Sequence, residues 1–173
     1  MALCTASARS NLPDRIVIYG VEGVGKTHWA AGSVKPVFLL AEDGVRNLDV
    51  PKLMNASGTD ISTFNEVMAA LSDLTEEPHD FKTLVVDTVD WLEPLIRQHV
   101  VATHCQGDDE KYDAFGRGVG FSMNYWRQLL ARFDALRVRR GMEIILVAHA
   151  QLKAEESPTI GAEIKRYGLK LPG

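Results

Sequence analysis

Gly20-Val21-Glu22-Gly23-Val24-Gly25-Lys26-Thr27 is the stretch on which the reading of this chain turns. It matches G-x-x-x-x-G-K-[ST] in full, an octapeptide that average composition yields in roughly one chain in a few hundred of this length. Arg15–Gly20 (RIVIYG) precedes it, an Ile- and Val-rich run that reads as a buried strand ending in glycine. Lys26–Gly32 follows and reads as a helix that Gly32 can cap. Strand, glycine-rich turn and helix in that order are the context in which the pattern cradles phosphate. Gly20, Gly23 and Gly25 permit backbone angles and close approach that a Cβ would obstruct. Successive N–H groups then form an anion nest, and the helix start adds its positive dipole end. Lys26 would place an ammonium at β and γ phosphates, and Thr27 a hydroxyl on Mg²⁺. Val24 and His28 complete the stretch expected to contact nucleotide. Glu22, an acidic residue in such a loop, is expected to point to solvent.

Outward from this loop, short apolar runs alternate with amphipathic stretches. Val37–Ala41 reads as a second strand, Thr83–Asp87 as a third and Glu143–His149 as a fourth. Glu163–Leu171 alternates weakly and is a candidate fifth. Ser62–Leu74 carries Phe64, Val67, Met68 and Leu71 at helical spacing. Val89–Cys105 reads as mostly helical, with Pro94 near its first turns. Ser122–Arg140 reads as a long helix, stopped by Gly141 and ending in Arg137, Arg139 and Arg140, which suit the negative end of its dipole. Gln106–Gly120, with its glycines and the acidic run Asp108-Asp109-Glu110, reads as a long mobile loop. Lys153–Gly161 reads as a polar loop. Strands separated by helices, with near-continuous apolar strands, predict an α/β fold: a mostly parallel sheet covered on both faces. Residues 1–13 are taken as an N-terminal extension and 14–173 as the domain. Leu171-Pro172-Gly173 follows directly on a strand, so the sheet edge is open to truncation there.

The chain has 173 residues, 46% hydrophobic and 24% charged, with nineteen Lys+Arg against twenty-three Asp+Glu. These values exclude a disordered tail, a collagen-like repeat and a small disulfide scaffold. A net charge of −4 makes any anion binding local rather than a whole-surface effect. Cys4 and Cys105 are too few for a disulfide framework and fit a reducing cytoplasm. The longest strongly apolar stretches fall far short of the ~20 residues that span a bilayer. The expectation is a soluble, cytoplasmic protein without membrane attachment.

Hydrolysis needs groups beyond the loop. Asp87 ends an apolar strand, the position of a Walker-B aspartate in the metal shell; the alternative is a helix cap, which Thr88 or Asp90 could also supply. Asp90 is a weaker candidate for the metal and suits the first turn of the helix. Glu42 ends the second strand, facing the crevice where ligands bind to parallel sheets, and could polarise the attacking water; Asp43 suits the turn. His149 ends the fourth strand. Should that strand lie beside the loop strand, His149 would approach the γ-phosphate as a sensor, with Gln151 sharing the task. Lys165, Arg166 and Lys170 are candidate cationic fingers toward a neighbouring subunit, or plain charges on a strand edge. Lys111, Arg117 and Lys153, with Tyr112 and Phe115 for stacking, are the best candidates for nucleic acid; the acidic run beside them opposes it, and a gating or subunit-contact loop fits equally. His99, His104 and Cys105 lack a fourth ligand at structural spacing and do not make a zinc site. Trp29, Trp91 and Trp126 read as packing residues.

Taken together, the loop, Glu42-Asp43-Gly44 after the second strand, Asp87 after the third and Val147-Ala148-His149 after the fourth resemble the RecA-like ATPases of bacteriophages. The nearest likeness is to the phage AAA-type ATP-binding family related to the Sak single-strand-annealing recombinases, over about residues 14–171. The loop is specific to a superfamily and the remainder is diffuse. The resemblance implies a RecA-like P-loop core with the sensor strand between the loop strand and the Walker-B strand. It implies Glu42 as catalytic glutamate, Asp87 as Walker-B aspartate, His149 as sensor, and Lys165 and Arg166 as trans-acting groups. ATP and Mg²⁺ would be bound, and single-stranded DNA handled in phage recombination or replication. A ring or filament of copies and a single-strand-binding protein are the implied partners, in the host cytoplasm. His28 departs from the pattern, standing where a small hydroxyl residue is more usual. The final strands of such a core are not recognisable. A small phosphotransferase or nucleotide kinase, and an assembly module that binds without turnover, remain as alternatives.

Overall fold

Four of the apolar runs become neighbouring parallel strands: β1 (Arg15–Gly20), β2 (Pro36–Leu40), β3 (Thr83–Asp87) and the first half of β4 (Glu143–Glu156). The computed structural model describes residues 12–40, 48–156 and 163–169. The sheet order is β1-β4-β3-β2. β4 therefore lies between the loop strand and the strand of Asp87, the order expected of a RecA-like core. Its register brings Gly20 opposite His149, and Asp87 opposite Val147 on one side and Leu40 on the other. All the strand ends that carry candidate chemistry thus finish at one edge of the sheet.

Period-two alternation distributes the apolar residues to both faces. Leu84, Val86, Ile144 and Leu146 face one way, into the main core with Phe64, Leu71, Ile96, Leu129 and Phe133. The helices on this side are α2 (Phe64–Glu76), α3 (Val89–His104) and α5 (Arg117–Ala135). Phe38, Val85, Ile145 and Val147 face the other way, against Ala30 of the short α1 (Lys26–Ala31). β3 is buried on every residue for this reason. β1 departs from the expected buried strand. Among the described residues only β4 flanks it, so Val17 and Tyr19 each remain 52% exposed. Trp29, read as a packing residue, is likewise 53% exposed on α1, whereas Trp91 and Trp126 pack against the main core.

The segment Gln106–Gly120 is not the mobile loop expected of it. Asp109–Asp113 forms a short helix α4, Ala114–Gly116 a 3₁₀ turn, and α5 already starts at Arg117. Asp108 caps α4 by accepting the N–H groups of Glu110 and Lys111. Arg97 of α3 donates to Asp109 at 3.1 Å and to Asp113 at 3.1 and 3.2 Å, and its guanidinium lies 4.1 Å from the Tyr112 ring centre. Tyr112 is buried and its hydroxyl meets Ser122 at 2.9 Å, so it is not available to stack on a base. Gly118 makes this docking possible: a Cβ there would lie 2.3 Å from the Tyr112 ring. Of the glycines that read as mobility, Gly118 serves close approach, while Gly107 and Gly116 take left-handed angles at turns.

At its far end α5 passes into a π turn, Leu136–Arg140, before Gly141 stops it at φ +64°. Arg137 donates to the Pro13 carbonyl and to Asp134, Arg139 to Glu76, and Arg140 to the Glu77 carbonyl. That cluster ties α5 to α2 and is consumed within the fold. His99 and His104 pack on aromatic rings: His99 against Phe64 and Tyr125, and His104 stacked on Phe121 at 4.2 Å.

The fourth strand is longer than expected. Lys153–Glu156, read as loop, continues β4, and residues 150–156 pair antiparallel with β5 (Glu163–Leu169). This ribbon extends past the parallel sheet. Lys170 lies outside the described residues, as do Ala41–Arg46 and Asn47. Among the described residues, no helix is long and apolar enough to cross a membrane.

Candidate nucleotide-binding cleft

The loop Val21–Gly25 joins β1 to α1 without a side-chain cap at the helix start. Gly23 (φ +77°) and Gly25 (φ +93°) adopt left-handed angles that side-chain-bearing residues rarely reach. Gly20 does not; a Cβ there would press on Val24 Cγ1 at 3.3 Å, so its contribution is close approach alone. Among the described residues no hydrogen bond within the chain occupies the N–H groups of Glu22 to Gly25. N–H groups left open along such a turn form a concavity for anions.

Lys26 is 8% exposed, and its ammonium donates to the carbonyls of Gly20 and Val21, each at 3.0 Å. The loop thus wraps its own lysine. Thr27 hydrogen-bonds Asp87, which reaches across from the end of β3. Burial pushes the Asp87 carboxyl up from its ordinary value, against the pull of that hydrogen bond and the nearby Lys26 and His149 charges. A buried carboxylate held charged against its desolvation cost is one that a cation would relieve.

These groups line an open cleft of about 350 Å³ bounded by Glu22, Gly23, Gly25, Lys26, Thr27 and His28 of the loop, with Leu48, Asp87, Thr88 and His149 opposite. Its size is that of a small-molecule site. Of the residues expected in the site, Lys26, Thr27, Asp87 and His149 converge. Val24 is 63% exposed on the loop and does not line the cleft. His28 is exposed at the rim, and Glu22, expected in solvent, is exposed yet borders the opening. Gln151 lies two residues beyond His149, in the part of β4 that pairs with β5, and is not at the cleft. Glu42 and Asp43 lie outside the described residues. Lys165 and Arg166 lie in β5, opposite Ala154 and Lys153.

Two lining residues were not picked out from sequence. Leu48 closes one side, and nothing in its local pattern points there. Thr88 is 4% exposed, and its hydroxyl has no hydrogen-bond partner among the described residues. It occupies the N-cap position of α3 without capping it. Its signal was its place directly after a strand-terminal aspartate. Asp90 lies in the first turn of α3, as expected, and has a second role there. Its carboxylate accepts from His149 twice, from Nδ1 at 2.7 Å and from the backbone N–H at 3.1 Å.

No curated protein matches the chain. A family model described as AAA domain matches residues 12–173, which takes in the loop, all of the described strands and every residue that lines the cleft. A parallel sheet ordered β1-β4-β3-β2, a glycine-rich loop wrapped round its lysine, and that match agree: the chain belongs to the AAA domain family of P-loop ATPases.

Proposed function

We propose that the chain binds ATP with Mg²⁺ on the Gly20–Thr27 loop and hydrolyses it. The observation that carries this reading is the convergence of Lys26, Thr27, Asp87 and His149 on one cleft, at the carboxyl ends of β1 and β3 and where the parallel half of β4 finishes. Lys26 supplies the ammonium for the β and γ phosphates. The Thr27 hydroxyl and the Asp87 carboxylate are hard oxygen donors already in hydrogen-bond contact, a set that suits Mg²⁺. When bound there, the ion neutralises charge that develops on the transferring phosphoryl group. Glu42 is the carboxylate assigned to orient the attacking water; Leu40 pairs with Asp87, so the chain leaves β2 beside the metal-shell aspartate. His149 serves as the sensor of the terminal phosphate.

Turnover is coupled, in this reading, to handling of single-stranded DNA in phage recombination or replication by a homo-oligomeric ring or filament, with a single-strand-binding protein as a further partner. The likeness of the loop, Glu42, Asp87 and His149 pattern to phage recombinases supports it. A nucleotide kinase would need a lid over its acceptor; residues 106–120, the candidate lid, line none of the cleft. The test is ATP hydrolysis with and without added single strands, with particle size followed in parallel. Stimulation and growth by single strands support the proposal. Phosphorylation of an acceptor overturns it in favour of a kinase, and binding without turnover in favour of an assembly module. Glu42→Gln is expected to retain binding and lose turnover.

A further inference from the structure

His149 stands at a junction. Val147 is the last residue of β4 paired with β3, His149 the last paired with β1, and Ala150 the first paired with β5. Within three residues the strand exchanges its parallel neighbours for the antiparallel ribbon. Asp90, three residues beyond the end of β3, supplies the bonds at that point. Oδ1 takes the His149 backbone N–H, where the neighbouring strand has ended, and Oδ2 takes the imidazole. The Asp90 side chain is only 9% exposed and that of His149 21%. Burial works to raise the Asp90 carboxyl, but the hydrogen bonds from His149 outweigh it and hold it below its ordinary value. A carboxylate only accepts, so Nδ1 carries a proton and the ring is fixed with Nε2 as its free nitrogen. His149 lines the cleft.

We propose that Asp90 is a positioning residue: it aims His149 Nε2 at the phosphate end of the cleft and ties β4 where the strand leaves the sheet, so that what occupies the cleft is felt by the β4–β5 ribbon. The proposal rests on the nucleotide reading above and adds to it a residue and a route. Two bonds from one carboxylate to one residue make a stiff link, because neither the ring nor the strand can turn without breaking one of them. The ribbon is a continuation of the same strand, with no loop between to absorb a displacement.

The imidazole can be tested without nucleotide. Long-range ¹H–¹⁵N spectra of the wild-type chain are expected to show His149 protonated at Nδ1. In Asp90→Asn the single amide oxygen serves the backbone N–H, its NH₂ faces Nδ1, and the proton is expected on Nε2 instead. Coupling is read from the ratio of affinities for a non-hydrolysable ATP analogue and for ADP. Asp90→Ala and His149→Ala are each expected to lower that ratio about tenfold or more, the value of one charge-assisted hydrogen bond. The double variant should fall no further than either single one, as residues acting through one contact do. Slowing of amide exchange in residues 150–156 and 163–169 by the analogue, relative to ADP, should vanish in all three. An unchanged ratio in Asp90→Ala, additive losses, or a wild-type ring protonated only at Nε2 overturns the proposal. Should Asp90→Ala fail to fold, Asp90→Asn carries the ratio and exchange measurements, and wild-type discrimination with an unmoved proton sinks the idea. If the wild-type chain binds neither nucleotide, the nucleotide reading itself fails, and the spectra then report separately whether the clamp exists.

Discussion

Helix α2 begins with a closed capping box, whereas α1 begins at a left-handed glycine with no side-chain cap at all. At α2, Thr63 accepts the Glu66 N–H, and Glu66 reaches back to the N–H groups of Ser62 and Thr63. Asn55 adds a further donor at 2.9 Å, and these bonds hold the Glu66 carboxyl down at about 2. At α1 the loop donors stay open, a lysine is wrapped in carbonyls, and a buried carboxylate and hydroxyl stand opposite. One helix start has satisfied its polar groups within the chain and is finished as structure. The other leaves them for something outside the chain, which is what a binding site costs the free protein. The same contrast separates the helical layer, where Arg97, Tyr112 and Ser122 are all paired, from the strand ends around Asp87.

The comparison breaks first at Lys26. Lys26→Ala is expected to weaken nucleotide binding by about a hundredfold or more, read by calorimetry, since it removes a charged partner of two phosphates. Unchanged binding would remove the site from the loop. On the finished side, Gly118→Ala forces a Cβ into the Tyr112 ring, a clash worth about 2 kcal/mol. The melting temperature should fall by roughly 4–8 °C for a chain of this size, with nucleotide affinity unmoved.

Asp87→Asn tests the cost of leaving groups open. Burial raises the Asp87 pKa, so the folded chain binds this proton more tightly than the unfolded one. Stability therefore falls as pH rises from the ordinary carboxylate range through the raised value. The variant should melt higher than the wild type at neutral pH, lose that part of the pH dependence, and bind nucleotide with magnesium about tenfold or more weakly. A variant that melts lower would show that the carboxylate is already compensated.

The smallest effects lie at α2. Thr63→Ala should cost about 1 kcal/mol in thermal or denaturant unfolding. Glu66 behaves oppositely to Asp87. Its lowered pKa contributes stability that is fully present above its ordinary 4.5 and is lost as pH falls toward about 2. Amide exchange in the first turn of α2 should quicken across that window in the wild type and show no such dependence in Glu66→Gln.

How much of this was legible varies with the range of the interaction. β3 falls on the residues its apolar run predicts, and α3 ends one residue short of its predicted end, because alternation and helical spacing act over a few residues. The loop could be read for the same reason, its chemistry being contiguous in the chain. Gln106–Gly120 could not: the partner that orders it, Arg97, lies nine residues or more upstream, and Gly118 makes room for a ring brought in by α4. Lys153–Glu156 looked polar because its pairing partner is a separate segment, and cross-strand pairing leaves little trace in composition.

Sequence alone determined that a strand, a glycine-rich turn and a helix would follow one another, that Asp87 would end an apolar strand, and that His149 would follow an apolar run; that the fourth strand continues past His149 was not legible. Only the tertiary structure decided that Asp87 and His149 meet at the loop, by placing β4 between β1 and β3, and that Asp90 in the first turn of α3 holds His149. The physical reason is one of distance along the chain. Propensity and periodicity are local and can be read in place. The strand order, and the carboxylate that bridges 59 residues to its partner, follow from how long-range burial and hydrogen bonding settle together.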